Sequence, residues 1–235
     1  MVKIAPAACV VAAPDPKHGP GKRPREQAPV KTACAQQIDN SRLEPLPSYL
    51  PVMRVIAGTA KGRRLKAPGR PTRPATDLVR GAIFSILENL AEDWDNVLDL
   101  FSGSGALGIE ALSRGAGRVD FVERDPGCCV IIRENLAKTE LATRAQVHCT
   151  SVAQALSSFD KEYGIVLIDP PYADPAIDGI LSQLADSRLI GPETIVVATH
   201  SSRRSLETAY GGLHMLKEHR HGDSCIAIYR KERME

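Results

Sequence analysis

The sequence predicts an α/β fold: a seven-stranded, mostly parallel sheet with helices on both faces and a basic β-hairpin on its N-terminal side. Three observations predict it. From residue 96 onward, short apolar runs alternate with capped, helix-patterned segments, and strands joined through helices pair in parallel. A glycine-rich loop, Gly103-Ser104-Gly105-Ala106-Leu107-Gly108, joins the first of these strands to the helix after it. The length of 235 residues, 43% hydrophobic and 25% charged, fits one globular domain with an appendage.

The appendage is the N-terminal extension. Residues 1–52 hold nine of the 17 prolines and one aromatic, Tyr49, with no lasting periodicity. Such sequence buries too little apolar surface to offset its ordering entropy, so a disordered extension is expected. The folded domain is expected over 53–235, and Met53, where ordered pattern begins, is a candidate natural start. Arg54 to Ala57 and Arg63 to Lys66 flank a Gly58–Gly62 turn and read as a hairpin, so 53–75 forms a basic hairpin and loop. Thr76 caps a helix to about Ala91, with Leu78, Val79, Ala82, Ile83, Ile86, Leu87 and Leu90 on its apolar face.

The alternating elements follow. Strands are expected at Asn96–Leu100, Arg118–Val122, Ala145–His148, Tyr163–Ile168 and Thr194–Thr199. Leu213–Arg220 and Cys225–Arg230 close the sheet around His221-Gly222-Asp223, the last strand antiparallel. The helix after the glycine loop runs to about Arg114. Asp125 caps and Pro126 starts a helix to Lys138. Val152–Ser158 and Pro175–Ala185 complete the set.

Composition excludes several classes. The longest apolar stretch, Ile4 to Pro14, is 11 residues, short of the roughly 18 a membrane span needs. The six cysteines contain no C-x-x-C pair, which argues against a zinc ribbon or disulfide scaffold and for reduced thiols in a cytoplasmic protein. The net charge of +2 hides an asymmetry: residues 54–80 carry +7 and residues 81–235 carry −8. A basic band on an acidic body suggests a surface for a polyanion.

The glycine loop is the first chemical signal. Glycines let a backbone approach a ligand closely, and Glu123, at the end of the next strand, can take two ribose hydroxyls. This is a nucleoside-cofactor pattern. Dinucleotide enzymes usually place a glycine directly after the first strand; here Asp99 stands at the strand end. A carboxylate there can bind an ammonium group, which S-adenosylmethionine carries and NAD does not. The expected cofactor set is Asp99, Phe101, Gly103, Ser104, Gly105, Glu123 and Arg124, with Ser151 and Val152 after the third strand on the adenine side. The second signal is Asp169-Pro170-Pro171-Tyr172, which ends the strongest apolar strand. Two prolines stiffen the turn and remove two donors. The remaining acceptors suit a planar exocyclic amine, and the Tyr172 ring can stack on its base.

These residues resemble the amino-methyltransferases of nucleic acids, whose motif is Asp/Asn-Pro-Pro-Tyr/Phe. Four further segments sharpen the resemblance: Arg54-Val55-Ile56-Ala57-Gly58, Lys61-Gly62-Arg63-Arg64-Leu65, Arg73-Pro74-Ala75-Thr76-Asp77-Leu78-Val79-Arg80, and Gly103 through Gly115. Together they are similar to the RsmD family, over about residues 54–230. The resemblance implies a Rossmann-like, S-adenosylmethionine-dependent methyltransferase that acts on the exocyclic N2 of a guanine in 16S ribosomal RNA, of the guanine-966 type. Its partner would be 16S ribosomal RNA or a small-subunit assembly intermediate, with no membrane, and the protein a monomer. Gly81 departs from the family, which usually has Glu there, and the extension lies outside its pattern.

The sulfonium methyl is already activated, so in-line transfer needs no metal. Asp169, Pro170, Pro171 and Tyr172 would orient the amine and stabilise its developing charge; Asp169 or water takes the proton. A base buried in folded RNA would have to swing out to reach this pocket. Arg63, Arg64, Arg73, Thr76, Asp77 and Arg80 would face RNA, with Phe84 on the same stripe as Asp77 and Arg80. His214, His219 and His221 read as surface histidines without a carboxylate at ligand spacing. Three alternatives remain: an adenine-N6 methyltransferase, which shares the tetrapeptide; an NAD-dependent oxidoreductase; and a non-catalytic RNA-binding module.

Overall fold

The structure, a computed structural model, describes residues 53–69, 76–171 and 176–232. The chain divides into two units, Met1–Ser48 and Tyr49–Glu235, and every described residue belongs to the second. The expected extension, Arg73 and Tyr172 lie outside the described residues.

The elements run α1 (Asp77–Leu90), β1 (Asn96–Leu100), α2 (Ala106–Ser113), β2 (Arg118–Glu123), α3 (Pro126–Thr139), β3 (Ala145–Cys149), α4 (Val152–Ser158), β4 (Ile165–Ile168), α5 (Ile177–Ala185), β5 (Ile195–Ser201), β6 (Ala209–Tyr210), β7 (Leu213–His221) and β8 (Ser224–Lys231). The strands form one sheet in the order β3-β2-β1-β4-β5-β8-β7-β6. The first five are parallel, and β8, β7 and β6 add antiparallel neighbours. The chain returns to the middle of the sheet between β3 and β4, so β1 is flanked by β2 and β4. A crevice opens at the carboxyl ends of such strands.

Alternate residues of each buried strand serve opposite faces. Val97 and Leu167 join a core under α1, α2 and α3. Leu98 and Ile168 join a second core under α4 and α5. Thr76 caps α1 and Asp125 caps α3, as their positions before the helical pattern require.

Three expectations are corrected. The sheet has eight strands among the described residues, not seven. The extra one, β6, is two residues long and pairs with β7 across Gly211-Gly212, with Gly211 at φ 56°. Two residues are too few for alternation to show. The basic hairpin does not form as two strands, and a single antiparallel bridge joins Arg54 and Arg64. Several of its backbone donors go to α2 instead: Ile56 and Ala57 N–H donate to the Glu110 carboxylate at 2.7 and 2.9 Å, and Ala60 N–H to Ser113 Oγ at 2.9 Å. The segment therefore docks on α2 as well as closing on itself, where Val55 N–H donates to the Arg63 carbonyl at 3.0 Å, Gly62 N–H to the Val55 carbonyl at 2.9 Å and Leu65 N–H to the Met53 carbonyl at 2.8 Å. At the contact Gly58 has φ 79°, and a Cβ there would lie 1.8 Å from the Ser113 carbonyl oxygen. Finally, α1 is rotated from the expected face. Leu78 is 72% exposed, while Arg80 and Phe84 are buried.

Candidate active site

Asp99 sits at the crevice because β1 carries it on the α1–α2–α3 face, one residue before the strand ends. It is 1% exposed. Its Oδ2 accepts a 2.9 Å hydrogen bond from Gly108 N–H. Its Oδ1 is buried and has no partner. Burial pushes its carboxyl up to about 8; the Gly108 N–H opposes the shift, and the charges of Asp169 and Glu123 add to it. Three carboxylates thus converge on one place, which favours a cation.

The loop after β1 is shaped by its glycines and one strained residue. Phe101 has φ 61°, a left-handed conformation that costs a non-glycine residue about 1–2 kcal/mol. Its ring packs against the α4–α5 core. Ser102 Oγ donates to the Asp99 carbonyl at 2.6 Å, and Gly105 N–H to the Ser102 carbonyl at 2.7 Å. Gly103, at φ 55°, leaves open space: nothing would meet its Cβ closer than 3.9 Å. Gly108 is different, because a Cβ there would strike the Phe121 ring at 2.3 Å. It packs α2 onto β2 rather than facing a ligand.

Glu123 ends β2 across the loop. Its Oε2 accepts from Gly103 N–H at 2.9 Å and its Oε1 from Asp125 N–H at 2.8 Å. It holds the glycine loop as well as facing the crevice. Arg124 is exposed. Ser104 is buried, and its Oγ lies 3.3 Å from Met53 Sδ. Ser151 caps α4, accepting from Gln154 N–H at 3.2 Å, and Val152 is a buried member of the α4–α5 core.

On the other side of β1, β4 delivers Asp169. The pairing Leu100 with Ile168 aligns the two strand ends, and Asp169 N–H donates to the Leu100 carbonyl at 3.4 Å. Thr199 Oγ1, on β5, donates to Asp169 Oδ1. Pro170 is buried and Pro171 exposed.

The residues expected to face RNA separate into two groups. Arg64, Thr76 and Asp77 are exposed, and Thr76 also caps α1 through Val79 N–H. Arg63 is already engaged, donating to Glu140 Oε1 at 2.9 Å and to the Lys138 carbonyl at 2.5 Å. Arg80 is 1% exposed. Its Nη2 donates to the Arg54 carbonyl at 2.6 Å and to Asp77 Oδ1 at 2.7 Å, while Nε and Nη1 are buried without partners. It ties α1 to the N-terminal segment from within the fold.

Sequence reasoning missed three polar side chains. Glu110 anchors the N-terminal segment. Asn135, fully buried on α3, accepts from Lys66 N–H at 2.8 Å and donates to the carbonyls of Lys66 and Ser104 at 3.0 and 2.9 Å. Its signal was available: with Ile132, Leu136 and Thr139 it completes an inward stripe on α3. Thr199 gave none beyond being a hydroxyl in an apolar strand. Elsewhere, His214 pairs with Glu232 at 3.2 Å, a carboxylate that chain spacing did not suggest. His200, Glu218 and Cys225 bring ligand-capable atoms within 4.8 Å of one another, and His200 Nε2 is taken up by Glu218 Oε1 at 2.9 Å.

Known proteins are similar to this chain in sequence and in fold. The model of the family described as conserved hypothetical protein 95 matches residues 53–230. The Bacillus subtilis protein YlbH, provisionally named an rRNA methyltransferase, is 38% identical over 183 residues, 76% of this chain and 99% of that one. Ribosomal RNA small subunit methyltransferase D of Escherichia coli K12 is 31% identical over 181 residues, 77% of this chain and 90% of that one. The solved structure of yhhF from Escherichia coli, provisionally named a methyltransferase, superimposes with a TM-score of 0.69 at 28% identity, covering 78% of this chain and 99% of that one. The glycine loop, the carboxylate-lined crevice and the Asp-Pro-Pro turn all lie inside the matched span, and the chain belongs to the conserved hypothetical protein 95 family, the RsmD family that the sequence resembles.

Proposed function

We propose that this protein transfers a methyl group from S-adenosylmethionine to the exocyclic N2 amine of a guanine in 16S ribosomal RNA. The relatives are rRNA methyltransferases of the S-adenosylmethionine-dependent class, which supports an S-adenosylmethionine-dependent RNA methyltransferase. The guanine N2 target, the guanine-966 type and a small-subunit intermediate as substrate come from the family resemblance. One observation carries the reading. The carboxyl ends of two adjacent parallel strands place Asp99, with an unpartnered buried oxygen, beside Asp169, whose carboxylate Thr199 holds.

The residues fit the cofactor. The orphaned Asp99 Oδ1 lacks a donor, and an ammonium group supplies one together with the positive charge that three converging carboxylates favour. Glu123 would accept from the ribose hydroxyls while holding Gly103. Gly103 leaves room for close approach, and Phe101, Ser104 and Gly105 shape the loop. Val152, with Ser151 and Arg124 at the rim, would border the adenine. When bound, S-adenosylmethionine supplies a sulfonium methyl: a nitrogen–carbon bond forms, the carbon–sulfur bond breaks, and its electron pair stays on sulfur.

The chain's own residues do the rest. Asp169 and the Pro170 carbonyl would accept the two amine hydrogens and aim the nitrogen lone pair. The Asp169 charge and the Pro170 carbonyl dipole would stabilise the positive charge that develops on nitrogen. Pro170 and Pro171 hold the turn rigid, so little reorganisation accompanies transfer. Tyr172 would stack on the base. The proton leaves nitrogen for Asp169 or for water. The test is incubation with labelled S-adenosylmethionine and 16S RNA from a strain lacking the modification, followed by mapping of the labelled base. Label on a guanine N2 is expected; label on an adenine N6 would overturn the target.

A further inference from the structure

We propose that Thr199 is a positioning residue for methyl transfer, aiming the Asp169 carboxylate at the acceptor amine. The inference rests on the reading of Asp169 as the amine acceptor. Thr199 lies on β5, next to β4 in the sheet. The register pairs Ile168 with Ala198, so Asp169 and Thr199 are the next residues along the two neighbouring strands. Both belong to the face that also carries Asp99. Thr199 is 3% exposed and stands at the end of the apolar run Ile195-Val196-Val197-Ala198.

A hydroxyl at this place needs a reason. Valine has the same shape without a polar atom to satisfy, and a buried hydroxyl costs free energy unless it is hydrogen-bonded. Thr199 Oγ1 makes that bond to Asp169 Oδ1. The donor is itself rigid, because β-branching restricts χ1 and the strand fixes the backbone. Among the described residues Asp169 is held through both backbone and side chain: its N–H is tied to the Leu100 carbonyl at 3.4 Å, and its side chain is tied to β5. The first bond sets where the carboxylate starts, and the second sets which way it points. An aromatic amine is a weak nucleophile whose lone pair must line up with the methyl, so a swivelling acceptor would waste most encounters. Thr199 touches Asp169, not the substrate, and acts through it.

The experiment compares wild type, Thr199→Val, Thr199→Ser and Asp169→Ala with labelled S-adenosylmethionine and unmodified 16S RNA. It reads kcat, KM for RNA, calorimetric affinity for S-adenosylmethionine and melting temperature. Thr199→Val is expected to lose roughly tenfold or more in kcat, the order of one hydrogen bond to a charged group. Cofactor affinity, KM and melting temperature should stay near wild type, and Thr199→Ser should restore most of kcat. A Thr199→Val enzyme with wild-type kcat, beside an inactive Asp169→Ala, overturns the role of Thr199 alone. Equal losses in the Val and Ser variants, tracking a fall in melting temperature, overturn it too, because the bond would then only stitch β4 to β5. An active Asp169→Ala enzyme overturns the underlying reading instead.

Discussion

At Asp99, burial and two neighbouring carboxylates act in the same direction. The carboxyl of the free protein is pushed from an ordinary 3.8 up to about 8. Between those values the folded state keeps a proton that the unfolded chain has released. The site's contribution to stability therefore falls as pH rises through this window and levels off above about 8. Asp99→Asn removes the titration, so its melting temperature should fall less than that of wild type between pH 5 and pH 9. Its affinity for S-adenosylmethionine should drop by about 1.5–3 kcal/mol, one charge-assisted bond. Thermal melts at the two pH values and calorimetric titration check both halves. An unchanged affinity would remove Asp99 from the cofactor site. The position of Asp99 was legible in the sequence because a strand end followed by a glycine loop puts the preceding carboxylate at the crevice. Arg80 and Phe84 were not, because a helix stripe beside an apolar face reads the same whether it faces substrate or the core. The tie from Arg80 to the Arg54 carbonyl decides it, and that contact spans 26 residues of chain.

At the scale of elements, the N-terminal segment shows how a side chain can replace a strand. Glu110, 1% exposed, accepts from Ile56 and Ala57 N–H and from Arg114 Nε at 2.8 Å. Asn135 pins the same segment at Lys66 and the glycine loop at Ser104. Glycine loop and N-terminal segment thus share one polar clip. Glu110→Ala would leave two backbone donors and Arg114 Nε without their acceptor, while Arg114 Nη1 keeps Glu88, at a cost of about 2–3 kcal/mol. The melting temperature should fall, and hydrogen exchange at the Ile56 and Ala57 amides should accelerate ahead of the sheet amides. Uniform exchange across the chain would mean that the segment is not a separately held element. The five parallel strands were legible to within a residue or two because each is a short apolar run between caps and glycines. The hairpin was misread because local alternation says nothing about acceptors 53 or 54 residues away. β6 was missed because Gly211-Gly212 marks a turn while two residues carry no period.

Across the whole molecule, charge and topology divide the work. The parallel half of the sheet carries Asp99, Glu123 and Asp169 at the carboxyl ends of its strands, and the antiparallel half, β8-β7-β6, extends the sheet beyond β5. The +7 of residues 54–80 is read from composition, but the side chains do not all face outward. Arg63 is paired with Glu140, Lys66 with Glu134 at 2.8 Å, and Arg80 is interior. Charge counting sees none of these pairings, which is why the basic band looked more uniform than it is. Replacing Arg63, Arg64 and Arg73 with Ala should weaken RNA binding and flatten its salt dependence by about two phosphate contacts, or three where RNA displaces Glu140 from Arg63. Affinity for S-adenosylmethionine should hold. Parallel salt lines of equal height would place the RNA elsewhere.

In the proposed function the two strand-end carboxylates divide the labour, Asp99 holding the cofactor and Asp169 the acceptor amine. Asp169→Ala separates the two roles when calorimetric affinity for S-adenosylmethionine and labelled methyl transfer to unmodified 16S RNA are measured on the same preparation. Near wild-type cofactor affinity and no detectable transfer are expected. Full transfer by the Asp169→Ala enzyme, or loss of cofactor binding together with transfer, would contradict this division.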